Sequence, residues 1–302
     1  MNAAILLVTY NRIELLKKSI SCILNQSEPF PHLVIVDNFS TDNTFEYLIS
    51  FFNLSAVPSS FDATVCPSSI FEGFYKGIKV SIIKLSMNTG GSGGFYSGIK
   101  YILENLCVDW IWGMDDDAFC FPDALEKLKF AIVEKPDIQA FWSNCNADNN
   151  FHVNQKYKET DTWMFVGFLI SKQIIQSVGL PVCDYFIYHD DSEYSERIIR
   201  NGYKIIKVKE SMIEHGDLSQ RQLWQRNILG RKIEFPAMPD WKLYYFIRNF
   251  LLKNRYSIKS FLLSFYNVLK ILMKLMLVKP SKISIAGKAF FHGVLNKKGK
   301  LH

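Results

Sequence analysis

The last fifth of this chain has no acidic residue: from Trp241 to His302 there are 13 Lys or Arg and not one Asp or Glu. The preceding residues hold 22 basic and 29 acidic side chains, so the net charge of +6 hides an acidic body followed by a basic C-terminal region. Such asymmetry suggests that the two parts face different partners. Cysteine is scarce as well. Six cysteines, at 22, 66, 107, 120, 145 and 183, show no CxxC spacing, which argues against a zinc ribbon or a disulfide frame and reads as reduced thiols in a cytosolic compartment. The opening MNAAILLVTYNR has no basic n-region and only a short apolar run; it is read as a first β-strand, not a signal peptide. Internal repeats and low-complexity segments are absent. With 48% hydrophobic and 21% charged residues over 302 positions, the chain can bury a full core and is not a disordered polymer.

What is present alternates between two periods. Residues 3–10 and 33–38 are short β-rich apolar runs, and between them Leu15, Leu16, Ile20, Ile23 and Leu24 recur at helical spacing. Strand, helix and strand in under about forty residues make a βαβ unit, which implies a parallel sheet with right-handed crossovers. A helix is expected over about 43–52, capped by Thr41 or Asp42, and 54–78 reads as an irregular insertion rich in Ser, Pro and Phe. Strands follow at 80–86, 110–115 and 138–144, with a glycine cluster and a helix before the second of these. Residues 145–162 read as loop, 186–211 as strand or loop, helix, Gly202 stop and strand, and the text beyond Gly216 as helical and basic. Repeated βα units give an α/β layer fold.

In open parallel sheets ligands bind beyond the carboxyl ends of the strands. Four clusters fall there: Thr9-Tyr10-Asn11-Arg12, Asp37-Asn38 with Ser40 and Asp42, Asn88 to Phe95 with Gly90, Gly91, Gly93 and Gly94, and the triplet Asp115-Asp116-Asp117. Three adjacent carboxylates repel one another and persist where a cation or solvent compensates them. If the strand continues through them, Asp115 and Asp117 share a face and can share a metal, while Asp116 points away. An acidic loop after a buried strand is the bland alternative. Glycines let backbone amides approach a phosphate, and no GK[ST] follows to make a P-loop. His189-Asp190-Asp191-Ser192-Glu193-Tyr194 offers a second acid pair, either a general base or the acidic first turn of a helix. His215, after a strand, can complete a carboxylate metal site, although a lone His is more often structural.

Taken in order, VTYNR, VDNFSTD, NTGGSGGF, MDDD, HDDSEY and His215 give a chain that resembles the inverting GT-A glycosyltransferases of family 2, and within them the galactofuranosyltransferase-like branch. The resemblance covers about residues 3–217, and YYFIRN (244–249) is similar to a feature of the C-terminal part of these enzymes. It implies a GT-A catalytic domain over 1–217, Rossmann-like with a mostly parallel sheet flanked by helices, and a basic helical region over 218–302. It also implies a UDP-sugar donor, UDP-galactofuranose first, and Mn²⁺ or Mg²⁺ as cofactor. In that pattern Asp115 and Asp117 contact metal or donor, His215 is the further metal ligand, and Asp191 is the catalytic base. Asp37 binds the uridine, Thr9 and Arg12 border that pocket, and Asn88, Gly90, Gly91, Gly93, Gly94, Asp116 and Asp190 complete the donor site. The chain departs from the pattern at His189, where those enzymes carry Trp before the acid pair.

The alternatives are a rhamnosyltransferase using dTDP-rhamnose and, more remotely, a metal-dependent phosphohydrolase or nucleotidyltransferase. A nucleophilic-aspartate phosphatase would place its acid pair on the first strand, and here it ends the fourth. The acidic body and the lack of a recognised motif argue against a nucleic-acid partner. In the basic region, the longest charge-free stretch of the apolar segment 257–278 is Ser260–Leu269, well short of a span. Ser260, Ser264, Asn267, Lys270 and Lys274 form one polar stripe, with Leu262, Leu263, Phe265, Tyr266, Leu269 and Leu272 outside it. This pattern suits a helix lying on anionic lipid, or a helix packed on the catalytic domain with a solvated basic face. The expected setting is the cytoplasmic face of the cell membrane, where a lipid-linked glycan acceptor would be extended in cell-surface polysaccharide (O-antigen type) synthesis.

Overall fold

A computed structural model describes residues 2–146, 151–216, 222–228 and 230–301. The chain divides into two compact units, one of Met1–Cys183 with Asp191–Gly216, the other of Asp184–Asp190 with Asp217–His302. The boundary expected between 217 and 218 lies outside the described residues.

In the first unit the order is β1 (Ala3–Thr9), α1 (Ile13–Leu24), β2 (His32–Asp37), α2 (Thr44–Phe52), β3 (Ser55–Val57), β4 (Ser68–Tyr75), β5 (Ile78–Leu85), α3 (Gly90–Asn105), β6 (Trp110–Asp115) and β7 (Ala118–Cys120). It continues with α4 (Ala124–Glu134), β8 (Ala140–Cys145), β9 (Tyr157–Thr160), β10 (Phe168–Ser171), α5 (Lys172–Val178), α6 (Asp190–Arg200) and β11 (Ile205–His215). The sheet runs β3-β4-β5-β2-β1-β6-β10-β8-β11-β7, with β9 on β11. Its centre, β5-β2-β1-β6, is parallel, and antiparallel pairs border it on both sides.

Both phases of β1 are apolar because helices cover both faces. Leu6 and Val8 pack with Val34, Val36, Phe95 and Ile99 on the side of α3. Ile5 and Leu7 pack with Leu16, Ile20, Leu48 and Leu128 on the side of α1, α2 and α4. Glycine in α3 is a packing demand: a Cβ at Gly98 would stand 2.3 Å from Leu6 Cδ1, and one at Gly94 2.6 Å from Val8 Cγ1. The helix therefore lies closer on β1 than an alanine there would permit.

Three sequence expectations need correction. The insertion at 54–78 is not wholly irregular: β4 pairs antiparallel with β5, and β3 with β4. Ser and Pro mark its ends, but pairing to a buried neighbour decides its middle. The stretch 145–162 contains β9, which is antiparallel to β11. The region beyond Gly216 starts with a hairpin, β12 (Leu223–Ile228) and β13 (Arg231–Pro236), turning at Gly230 with φ +75°. Its basic residues mask a period-two pattern that puts Trp224 opposite Phe235.

The second unit continues with α7 (Asp240–Lys253), α8 (Ile258–Val278) and α9 (Ile283–Val294). Its core gathers Leu243, Tyr244, Ile247 and Leu251 of α7, Val268 and Leu275 of α8, and Ala286 and Ala289 of α9. The polar stripe expected on α8 is not the solvated face throughout, because Ser264 is buried, as is Val268, while Leu262, Leu263, Tyr266, Leu269, Met273 and Met276 are exposed.

Candidate active site

Parallel pairing sets the carboxyl ends of β2, β1 and β6 side by side, with Thr9 opposite Asp37 and Val8 opposite Asp115. β6 ends at Asp115, and Asp116-Asp117 form the turn into β7. Strand alternation therefore does not place Asp117. The antiparallel β7–β11 pair does: His215 lies opposite Ala118, and Gly216 N donates to Asp117 O at 3.1 Å. The outcome is one group in which ligand atoms of Asp115, Asp117 and His215 lie within 4.8 Å of one another. A Cβ at Gly216 would come to 3.3 Å from Asp117 Oδ2, so glycine keeps this carboxylate its room.

Two hard oxygens and an imidazole suit a divalent cation. The surroundings fit as well, since His215 Nδ1 is enclosed and satisfied by no hydrogen bond. His215 Nε2 stands 3.2 Å from Asp117 Oδ1. Arg12 supplies the positive charge of the cluster, with Nη1 2.9 Å from Asp117 Oδ2 and 3.2 Å from Asp116 Oδ1. Burial alone would raise Asp117, but His215 and Arg12 outweigh it and hold this carboxyl below its ordinary range. Asp116 goes the other way: burial pushes it up, against Arg12 and the Thr9 hydroxyl. Asp116 Oδ2 accepts from Thr9 Oγ1 at 2.7 Å and from Tyr10 N at 3.2 Å. Thr9, Arg12 and Asp116 thus tie the end of β1 to the end of β6.

The second sub-site centres on Asp37. This carboxylate is buried, its Oδ1 accepts from Ser40 N at 3.0 Å, and its Oδ2 has no hydrogen-bond partner. Burial pushes its carboxyl above the usual range despite Ser40 and Lys84. Beside it Asn38 is the hub. Its Nδ2 donates to Gly90 O at 2.9 Å, and its Oδ1 accepts from Thr89 N and Thr89 Oγ1, both at 2.9 Å. Asn88 Oδ1 takes the Gly90 amide at 2.8 Å. The glycine cluster is not a loop before a helix, since α3 begins at Gly90 and Gly91, Gly93 and Gly94 lie in its first turns. Gly93 and Gly94 are glycine for packing against Thr89 and Val8, whereas nothing lies within 4 Å of a Cβ at Gly91. A helix N-terminus, with its unsatisfied amides and positive dipole end, is what this segment offers to a phosphate. Asp42 bonds Ile13 N at 3.2 Å and Thr44 Oγ1 at 2.6 Å, so it braces the starts of both α1 and α2.

Asp190 and Asp191 open α6 and are not members of the Asp115–Asp117–His215 group. Asp190 is buried, and Asp191 Oδ1 accepts from Ser192 N at 2.6 Å. The sequence motifs assign no site role to Asn38, or to Arg248 and Asn249, which end the YYFIRN stretch. Asn38 follows directly on the acid of the second strand, and that adjacency is its available signal. Arg248 and Asn249 are charged or polar yet fully buried in α7, and only tertiary structure shows what they hold.

Against this geometry, the family model for Glycosyl transferase family 2 matches residues 4–193. Among curated proteins the chain is 24% identical over 221 residues to galactofuranosyltransferase GlfT1 of Mycolicibacterium smegmatis, covering 65% of this chain and 64% of that protein. It is 23% identical over 219 residues to GlfT1 of Mycobacterium tuberculosis, with the same coverage. The chain thus spans slightly under two thirds of the length of these relatives. Among solved structures, a mannosyltransferase of Pyrobaculum calidifontis in complex with GDP-Man and Mn²⁺ matches with a TM-score of 0.60 at 13% identity, over 98% of this chain and 88% of that one. S. aureus TarS 1–349 in complex with UDP-GlcNAc matches with a TM-score of 0.58 at 13% identity, over 97% and 82%. These structural likenesses bear on the fold.

Proposed function

The chain belongs to glycosyl transferase family 2, and from that premise we propose that it is an inverting galactofuranosyltransferase using UDP-galactofuranose and a divalent cation, Mn²⁺ or Mg²⁺. The observation that carries the reading is the Asp115, Asp117 and His215 group at the sheet's carboxyl edge, beside Arg12 and on the strand ends that also carry Asp37. The furanose donor is favoured by the similarity to proteins named galactofuranosyltransferase. Asp37, with one buried oxygen still to be satisfied, is the acceptor for a base or ribose donor group. Asp115, Asp117 and His215 would hold the cation, which supplies charge neutralisation for the departing diphosphate. The N-terminus of α3 adds oriented amide dipoles on the same anion.

Asp191 is the proposed general base. Its carboxylate takes the proton of an acceptor hydroxyl as that oxygen bonds to the anomeric carbon, and the bond from that carbon to the diphosphate oxygen breaks on the opposite face. One displacement inverts the configuration. The acceptor is proposed to be a lipid-linked glycan met at the cytoplasmic membrane surface. In support, α8 exposes Ile258, Leu262, Tyr266, Leu269, Met273 and Met276 on one arc, with Lys259, Lys270 and Lys274 along its border. The 21-residue α8 is also long and apolar enough to cross a membrane by length and composition. Its three lysines and its buried Ser264, Val268 and Leu275 favour lying in the interface.

The test is UDP or dTDP release from UDP-galactofuranose, UDP-galactopyranose and dTDP-rhamnose, with and without Mn²⁺. Metal-dependent release from the furanose alone is expected. Preference for dTDP-rhamnose would discard the galactofuranose reading and keep the fold and the base.

A further inference from the structure

The segment 184–189, which leads into α6, has an unusual backbone. Phe186, Tyr188 and His189 have φ of +68°, +67° and +67°, three bulky side chains in the left-handed region within four residues. Such conformations persist only where surrounding contacts over-determine them. Here the contacts are specific. Asn249 Nδ2 donates to Tyr185 O at 2.8 Å, Ile187 O at 2.8 Å and Tyr188 O at 3.0 Å. Arg248 Nη2 donates to Tyr185 O at 3.1 Å, its Nη1 bonds Gly299 O, and its Nε bonds Asn249 Oδ1 at 2.8 Å, which fixes the amide's orientation. Both residues are almost wholly buried. Rings finish the clamp: Phe186 stacks on Tyr245 at 4.9 Å, and His189 lies 5.3 Å from Phe246 and 5.5 Å from Phe250.

We propose that Arg248 and Asn249 are positioning residues for the reaction, because the strained turn they hold is the stem from which Asp190 and Asp191 emerge at the start of α6. This rests on the reading of Asp191 as the base. An amide donating to three carbonyls within four residues specifies one backbone path. The residue that follows the clamped segment starts the helix whose second position is Asp191. One helix of the basic C-terminal region thus fixes the backbone path of 185–188, the segment that runs directly into Asp190 and Asp191. His189, where the resemblance leads one to expect Trp, keeps an aromatic face toward Phe246 and Phe250 and so serves the same clamp.

The experiment measures UDP release from UDP-galactofuranose with Mn²⁺ for wild type, Asn249→Ala, Asp191→Asn and the double variant, with UDP and Mn²⁺ binding by calorimetry. Asn249→Ala is expected to lower kcat about 100-fold, the scale of a misplaced catalytic group, while UDP and Mn²⁺ bind as in wild type. In the Asp191→Asn background the same change should cost nothing further, since it acts through that carboxylate. An unchanged kcat in Asn249→Ala, with Asp191→Asn inactive, overturns the positioning role alone. So does an equal loss in both backgrounds. A near-normal rate in Asp191→Asn overturns the base assignment, and this inference with it. Should Asn249→Ala not fold, Tyr188→Gly is added, because glycine accepts a positive φ without strain. Restored folding with partly restored kcat is expected, and failure to restore folding overturns the proposal.

Discussion

Arg12→Gln should tighten Mn²⁺ binding. The guanidinium stands 2.9 Å from Asp117 Oδ2 and 3.2 Å from Asp116 Oδ1, so it would compete with a cation held by the proposed ligands. At about 3 Å a charge pair is worth about 1.4 kcal/mol at a dielectric near 80 and about 5.5 kcal/mol near 20. The Arg12 side chain is 49% exposed, so the low end applies, and exposed pairs contribute about 1 kcal/mol at most. Removing a positive neighbour of a doubly charged ion adds a comparable amount. About 1–2 kcal/mol, or ~5- to 30-fold in Kd, is the expected gain. Asp116 keeps its Thr9 and Tyr10 donors in the variant, so the turn retains its frame. Without metal, three carboxylates lose their countercharge, and Tm should fall; saturating Mn²⁺ should raise it by more than in wild type. Calorimetric titration of Mn²⁺ alone is the assay, at two ionic strengths, since added salt should shrink the difference. Equal or weaker Mn²⁺ binding by the variant would refute the competition and leave Arg12 as a strut that keeps the acids in ligand geometry.

Other expectations follow from single contacts. Asp191→Asn should lose about 10²- to 10⁴-fold in turnover while UDP-sugar binding by calorimetry is unchanged; a near-normal rate would remove Asp191 as base. Burial first, and then the charge of Lys253, pushes His189 down to about 3. Between the unfolded value near 6.5 and that folded value, only the unfolded chain takes the proton, so stability is lost as pH falls through this window. His189→Phe should abolish this slope and gain at most about 2 kcal/mol over wild type on going from pH 7 to pH 5; parallel urea midpoints across that range would disprove it. Replacing Leu262, Leu263, Tyr266 and Met273 together by Ser removes four exposed apolar side chains of α8. Sedimentation with anionic vesicles should weaken by about 100-fold or more, with melting temperature and donor hydrolysis retained; unchanged sedimentation would exclude this face as the lipid contact.

Much of the fold is legible in the order of residues alone. Apolar runs at 3–9, 33–37, 80–85 and 110–115, separated by helical periods, belong in a parallel sheet buried on both faces, and that places Thr9, Asp37, Asn88 and Asp115 at one edge. Charge is equally informative, because three adjacent carboxylates after a buried strand repel one another and persist where a cation or solvent compensates them, whatever the fold. The periods say less wherever pairing is long-range. β4 and β9 escape them because a short, Ser-rich or polar segment becomes a strand only when a buried neighbour offers its edge, as β5 and β11 do.

Tertiary structure alone decides how the site is assembled. Asp117 joins Asp115 through the antiparallel β7–β11 pair and His215, not through strand alternation, because the strand ends at Asp115. The glycines that suggest a phosphate loop are in part spacers that let α3 lie on Val8 and Leu6. Arg248 and Asn249 close an aromatic-rich stretch whose purpose shows only in the backbone they hold. The physical reason is common to all three. Residue identity and local spacing fix burial and charge, which the chain carries wherever it goes, whereas a hydrogen bond or a shared ligand position joins residues up to about a hundred positions apart and exists only once the sheet has brought them together.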